Sequence, residues 1–223
     1  MVVPKLNWKA LTNLACLNAA IGISVFVEDK KAYDNAMSLF QKRVPTYIYL
    51  EKDGETPKTN GGKSQSWFGQ EGFGNKGQDG QITVSCNSTL HCIINLGDLL
   101  RIYQETCRDR THAGYSLSSI SHILETARIQ GDDQYGSDVA DRLKASLEFH
   151  TKHSTGTTPA WLCQGKPLTR DLEFITEIGN TAFGTRLSQK INYTETYTKS
   201  HRPEGTNKLF YGWETLTHAD NKA

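Results

Sequence analysis

The chain has 223 residues, 37% hydrophobic and 22% charged, which is enough for one core and too little charge for a disordered polypeptide. Its 25 basic and 24 acidic residues leave a net charge of +1, neither the basic footprint of a nucleic-acid binder nor an acidic tail. The longest apolar stretch, Ala19 to Val27, is far shorter than a ~20-residue membrane span, so neither nucleic acid nor membrane is an expected partner.

From Met1 the chain passes through Val2, Val3, Pro4 and Lys5 straight into helical patterning, with no signal peptide. That start reads as an incomplete single domain. Trp8, Leu11, Leu14, Leu17, Ile21 and Val25 recur at helical spacing and predict a helix from about Asn7 to Val27. Asp29 stands at an N-cap position ahead of a second helix that should end at Arg43, before Pro45. The two make a helical hairpin, followed by a short extended piece from Tyr47 to Leu50. Residues 51–83 then form a long loop, with eight glycines between Glu51 and Gly80 and the aromatics Trp67, Phe68 and Phe73. Those rings suit either stacking on sugars or pinning the loop to the core.

Composition turns abruptly apolar at Val84 to Tyr103. Helical patterning resumes at Ser116 with Leu117, Ile120, Ile123, Leu124 and Ala127, and a helix opened by Ser137 or Asp138 follows. Leu172 to Leu187 reads as helical, and the chain closes on an apolar run through Trp213 to Leu216. Strand signals are scarce, so the fold class is all-α, built from helical hairpins with long Gly-rich loops.

The densest polar constellation runs from Gln104 to Tyr115. Arginine, histidine and tyrosine so close together can neutralise a carboxylate and move the proton next to it, because fixed cationic groups lower the barrier to forming the dianion. A salt-bridged loop before a helix accounts for the same spacing. No HExxH or CxxC, nucleophile elbow, P-loop or G-x-G-x-x-G occurs, so neither metal nor cofactor is expected. Glu105 and Asp109, or Glu173, are the carboxylates open to an inverting glycoside hydrolase.

Arg43 to Leu50, Gln104 to Tyr115, Ser121 to Gly131 and Arg202-Pro203-Glu204-Gly205 together resemble the alginate-lyase-like polysaccharide lyases. The likeness runs in order from Asn7 to Ala219. It implies an (α/α) toroid, here an incomplete barrel, in an extracellular enzyme that cleaves a uronic-acid polysaccharide of alginate or glucuronan type by β-elimination. On that resemblance Asn7, Arg108 and His112 neutralise the substrate carboxylate, and Tyr115 is the Brønsted base and acid. Trp8, Trp67, Gln104, Arg202 and Trp213 are candidate substrate-binding residues. Thr111 stands where relatives usually carry glycine, and Arg110 where they carry an uncharged or aromatic residue. The resemblance further implies a Cys107–Cys163 disulfide, while Cys16 reads as a buried free thiol. Asn192 heads a glycosylation sequon.

Relatives have no counterpart to residues 84–103, which interrupt the passage from Asp79-Gly80 to the Gln104 signature. The segment reads as a retained intron translated in frame, or as a genuine helix from about Leu90 to Tyr103. The whole chain is thus expected to be a monomeric, N-terminally truncated lyase domain acting on an anionic polysaccharide. Its alternatives are a non-catalytic carbohydrate binder or degenerate fragment, and a glycoside hydrolase on the same scaffold.

Overall fold

The computed structural model describes residues 10–54, 79–82, 105–154, 158–203, 205–206 and 212–222. Asn7, Trp8, Trp67, Gln104 and the segment 84–103 lie outside the described residues, as does the side chain of Arg108. Helices dominate: α1 (Ala10–Phe26), α2 (Lys30–Tyr47), α3 (Glu105–Arg108), α4 (Arg110–Ile129), α5 (Asp138–Lys152), α6 (Glu177–Gly179), α7 (Asn192–His201) and α8 (Glu214–His218). Among the described residues the only β pairings are two isolated antiparallel bridges, Ile48 with Ile82 and Thr206 with Gly212.

The α1–α2 hairpin forms as its sequence dictates, with the Asp29 carboxylate accepting from the Ala32 amide at 2.9 Å. Helix α2 continues past Arg43 through Pro45 to Tyr47. Proline there removes one amide from the last turn only, while the Thr46 hydroxyl binds the Arg43 carbonyl and Val44 and Tyr47 are buried. Helix α1 has no charged residue, and packs against α2 and α4. Leu14, Leu17 and Ile21 meet Phe40 and Val44 of α2 and Leu117, Ile120 and Leu124 of α4 in one core with Leu143 and Leu147 of α5. The opposite side of α1 leaves Cys16 exposed as a free thiol rather than buried.

Helix α4 begins at Arg110, six residues earlier than its apolar stripe suggests, because Asp109 caps it. The stretch expected to be helical from Leu172 becomes so only at Glu177 and then widens into a π-helix, Asn180–Arg186. The left-handed conformations of Arg170 and Glu173 keep the preceding residues out of a helix. Helix α7 was not foreseen from sequence, since its buried positions are Thr194, Tyr197 and Thr198 rather than aliphatics.

Buried polar contacts lock the region before the site. Arg142 of α5 has no exposed side-chain surface and forms a fork with Asp53 at 2.6 and 2.7 Å, with further bonds to the Ile48 carbonyl and Asp138. Gly80, at φ +90°, lies against α5 so closely that a Cβ would stand 2.6 Å from Ser146 Cα. The Ser146 hydroxyl donates to the Gly80 carbonyl, and Thr106 of α3 binds Ile82. His150, fully buried, donates from Nδ1 to the Ser146 carbonyl at 2.7 Å and accepts at Nε2 from the Thr106 hydroxyl at 3.1 Å.

Two consequences are measurable. Removing one partner of a buried ion pair strands the other charge, so Asp53→Ala is expected to lower urea-unfolding stability by about 3–5 kcal/mol. Burial pushes the His150 imidazole down to about 4, against 6.5 in the unfolded chain. The neutral ring's contribution is therefore complete above pH 6.5 and is lost as pH falls from 6.5 towards 4, on the order of 3 kcal/mol. Stability measured over that interval should fall more steeply in the wild type than in His150→Gln.

Candidate active site on the first turns of α4

The segment 105–115 is not a loop ahead of a helix. It is a short helix, α3, one break at Asp109, and the first turns of α4. Cys107 on α3 forms a disulfide with Cys163, with the two Cα atoms 5.3 Å apart, which ties this corner to the turn after α5.

Asp109 has two tasks. Its carboxylate accepts from the His112 backbone amide at 2.9 Å, closing the α4 N-terminus, and from His112 Nδ1 at 2.7 Å. Burial alone would raise the Asp109 carboxyl, but the bonds from the His112 ring and amide outweigh it and hold it below the usual carboxylate range. A proton on Nδ1 directs Nε2 away from the carboxylate. The His112 ring meets Tyr115 edge to face, with centroids 6.1 Å apart and planes at 77°. Both rings are half-buried, so each has one side in the packing and another at the surface.

Residues 169–173 brace this pair from beneath. The Arg110 amide and Nε bond the carbonyls of Thr169 and Arg170, at 3.0 and 2.6 Å. The Thr111 hydroxyl donates to the Asp171 carbonyl at 3.0 Å. Gly114 lets Leu172 come close, since a Cβ there would stand 2.7 Å from the Leu172 carbonyl oxygen. Arg110 and Thr111 thus fasten the start of α4 to its neighbour.

Of the sequence candidates, the structure brings together His112 and Tyr115, adds Asp109 behind them, and places the Arg108 backbone one position before Asp109. Arg202 lies elsewhere, bonded to the buried Glu177 at 2.6 and 2.9 Å and to Asp220, an anchor for the C-terminal segment. Trp213 is exposed just ahead of α8. Asn192 is exposed at the start of α7. Glu173 touches the Thr111 hydroxyl at 3.4 Å. No three His, Cys, Asp or Glu side chains among the described residues come together as metal ligands. A cavity of about 440 Å³ lies at the other end of α4, beside the α1–α2 turn, and is lined by Glu28, Asp29, Tyr33 and Asp132, away from His112.

Sequence spacing pointed to His112 and Tyr115 but gave Asp109 only as a hydrolase carboxylate. Its position three residues before His112 and directly before an amphipathic segment was the available signal for a cap.

No protein-family model, curated protein or solved structure matches the chain.

Truncating the cap separates these roles. Asp109→Ala should cost about 0.5–2 kcal/mol of stability by thermal or urea unfolding, and Asp109→Asn, which still caps, distinctly less.

Proposed function

We propose that the protein is an extracellular polysaccharide lyase of the α/α-toroid class, cleaving a uronic-acid polysaccharide of alginate or glucuronan type by β-elimination. The observation that carries this reading is the His112–Tyr115 ring contact on the first turns of α4, with Asp109 fixing the imidazole from behind. The hairpins α1–α2 and α4–α5 are the kind of unit from which such a toroid is assembled. The Cys107–Cys163 disulfide suits an oxidising compartment. Among the described residues no helix is long and apolar enough to cross a membrane.

In this reading the Tyr115 phenolate removes the C5 proton of the uronate. The electron pair forms the C4=C5 double bond, the C4–O4 bond breaks, and O4 leaves with a proton returned by Tyr115. A phenol with an ordinary pKa near ~10 needs positive charge beside it to serve as a base at neutral pH. In this reading Arg108 supplies that charge, and His112, held from behind by Asp109, helps to neutralise the C6 carboxylate. Asn7 and Arg108 complete the neutralisation. Asn192 is the glycosylation acceptor, and the protein acts as a monomer without a cofactor.

Glucuronan, alginate and pectate should be tested for ultraviolet absorbance from the unsaturated product. Tyr115→Phe is expected to lower the rate by at least about 10²-fold and His112→Gln by roughly 10²-fold. Undiminished elimination by Tyr115→Phe, or shorter sugars without that absorbance, overturns the proposal; the second outcome establishes hydrolysis instead.

A further inference from the structure

A second histidine–carboxylate pair reaches the surface further along α4. At about 100° per residue, His112, Tyr115, Ser119 and His122 fall within roughly 80° of arc on one face of the helix. His122 is about 10 Å along the axis from Tyr115. Its side chain is 32% exposed, and its Nε2 donates at 3.0 Å to Oε1 of Glu214, on α8. Nδ1 has no partner among the described residues. Glu214 is only 2% exposed, and its second oxygen, Oε2, is buried without a hydrogen-bond partner. The hydroxyls of Ser118 and Ser121, one turn and one residue before His122, are likewise buried and unpaired. Unpaired buried polar atoms are costly unless something hydrates or binds them.

The residue before Glu214 is Trp213. It adopts a left-handed backbone, φ +62°, which costs a residue with a Cβ about 1 kcal/mol or more, and it is 58% exposed. The Trp213 amide is held by the Gly205 carbonyl at 2.9 Å, next to the Thr206–Gly212 bridge. This strained turn sends the carboxylate of Glu214 inward to His122 and leaves a large flat ring outside. An exposed flat ring next in sequence to the carboxylate that orients an imidazole suits a pyranose, whose axial C–H bonds make an apolar face and whose hydroxyls line its rim.

We infer that His122, Glu214 and Trp213 form a distal sugar subsite, in which Trp213 stacks on one ring of the polysaccharide and His122, oriented by Glu214, bonds its hydroxyl or carboxylate. Ser119 is buried between Tyr115 and His122 on that face, its hydroxyl on the Tyr115 carbonyl. A ligand reaching both sites is therefore a chain and not a single sugar. The identity of that chain rests on the uronan-lyase reading. Glu214 is a positioning residue here, while Trp213 and His122 are the groups that touch sugar.

The test uses the whole chain with Trp213→Asn, which keeps the left-handed preference without the ring, His122→Gln, and the neighbouring exposed Leu216→Ala as control. Elimination kinetics are measured on short and long oligouronates, and retardation in gels cast with uronan reports binding without catalysis. Trp213→Asn and His122→Gln should each raise KM for long substrates by roughly two- to tenfold, the worth of one aromatic contact, with kcat held. Leu216→Ala should match the wild type. If the wild type eliminates and both variants keep its KM on long substrates, the subsite is overturned and the lyase reading stands. If the wild type eliminates nothing yet is retarded, and the Trp213 and His122 variants are not, the lyase reading falls and the subsite stands. Neither elimination nor retardation overturns both.

Discussion

Asp109 sets the position of everything the site contains. Helix α4 is the element against which α1, α3, α5 and α6 pack, and its first turn starts where the Asp109 carboxylate closes the open amides. The same carboxylate holds the His112 imidazole, so one side chain determines both where the helix begins and how its first functional ring is turned. Because Tyr115 follows three residues later, its place beside His112 is then dictated by helical geometry. A shift of the α4 start by one residue would rotate the pair by about 100° around the axis.

That start is held from several sides. The Cys107–Cys163 disulfide fixes the residue two before Asp109, and residues 169–173 bond Arg110 and Thr111 on the other side. Behind α3, Thr106 links Ile82 to His150, and Gly80 presses on α5 where only glycine fits. The contacts among Thr106, Ile82, Ser146 and His150 are polar and fully buried, so each is worth more intact than its parts suggest, and each is costly to break singly. The Arg142–Asp53 fork is of the same kind. Rigidity of this sort suits a site in which a proton has to be handled at a fixed distance.

Further along the chain another buried carboxylate has a comparable part. Glu125 takes both Arg128 and Arg186, and also the Tyr135 hydroxyl. Burial would raise this carboxyl, yet the two guanidinium groups bring it down to about 2. The cluster joins α4 to the π-helix, whose wider turn accommodates the buried residues between Asn180 and Phe183. Down one helix, therefore, buried acids at 109, 125 and, from α8, at 214 hold basic side chains at successive levels. Of their basic partners, His112, Arg128 and His122 also reach the surface.

Much of this was legible in the sequence. The α1–α2 hairpin, the Asp29 and Ser137 caps and the apolar stripe of α4 are short-range patterns, and local sterics and hydrogen bonding reproduce them. The chemistry-bearing cluster 104–115 was also visible, because residue types that carry charge and protons stood together. What the sequence could not show depends on distant partners. The first turn of α4 lacks apolar periodicity and is helical because Asp109 and residues 169–173 hold it. Helix α7 buries threonines against α5, where the Thr194 amide bonds Glu148. The 92-residue separation of His122 and Glu214 leaves no trace in spacing at all. The sequence by itself determined the α1–α2 hairpin, the apolar body of α4, the start of α5 and which residue types can move a proton. The tertiary structure alone decided which of those residues meet, since burial and ion pairing act between neighbours in space whatever their distance along the chain.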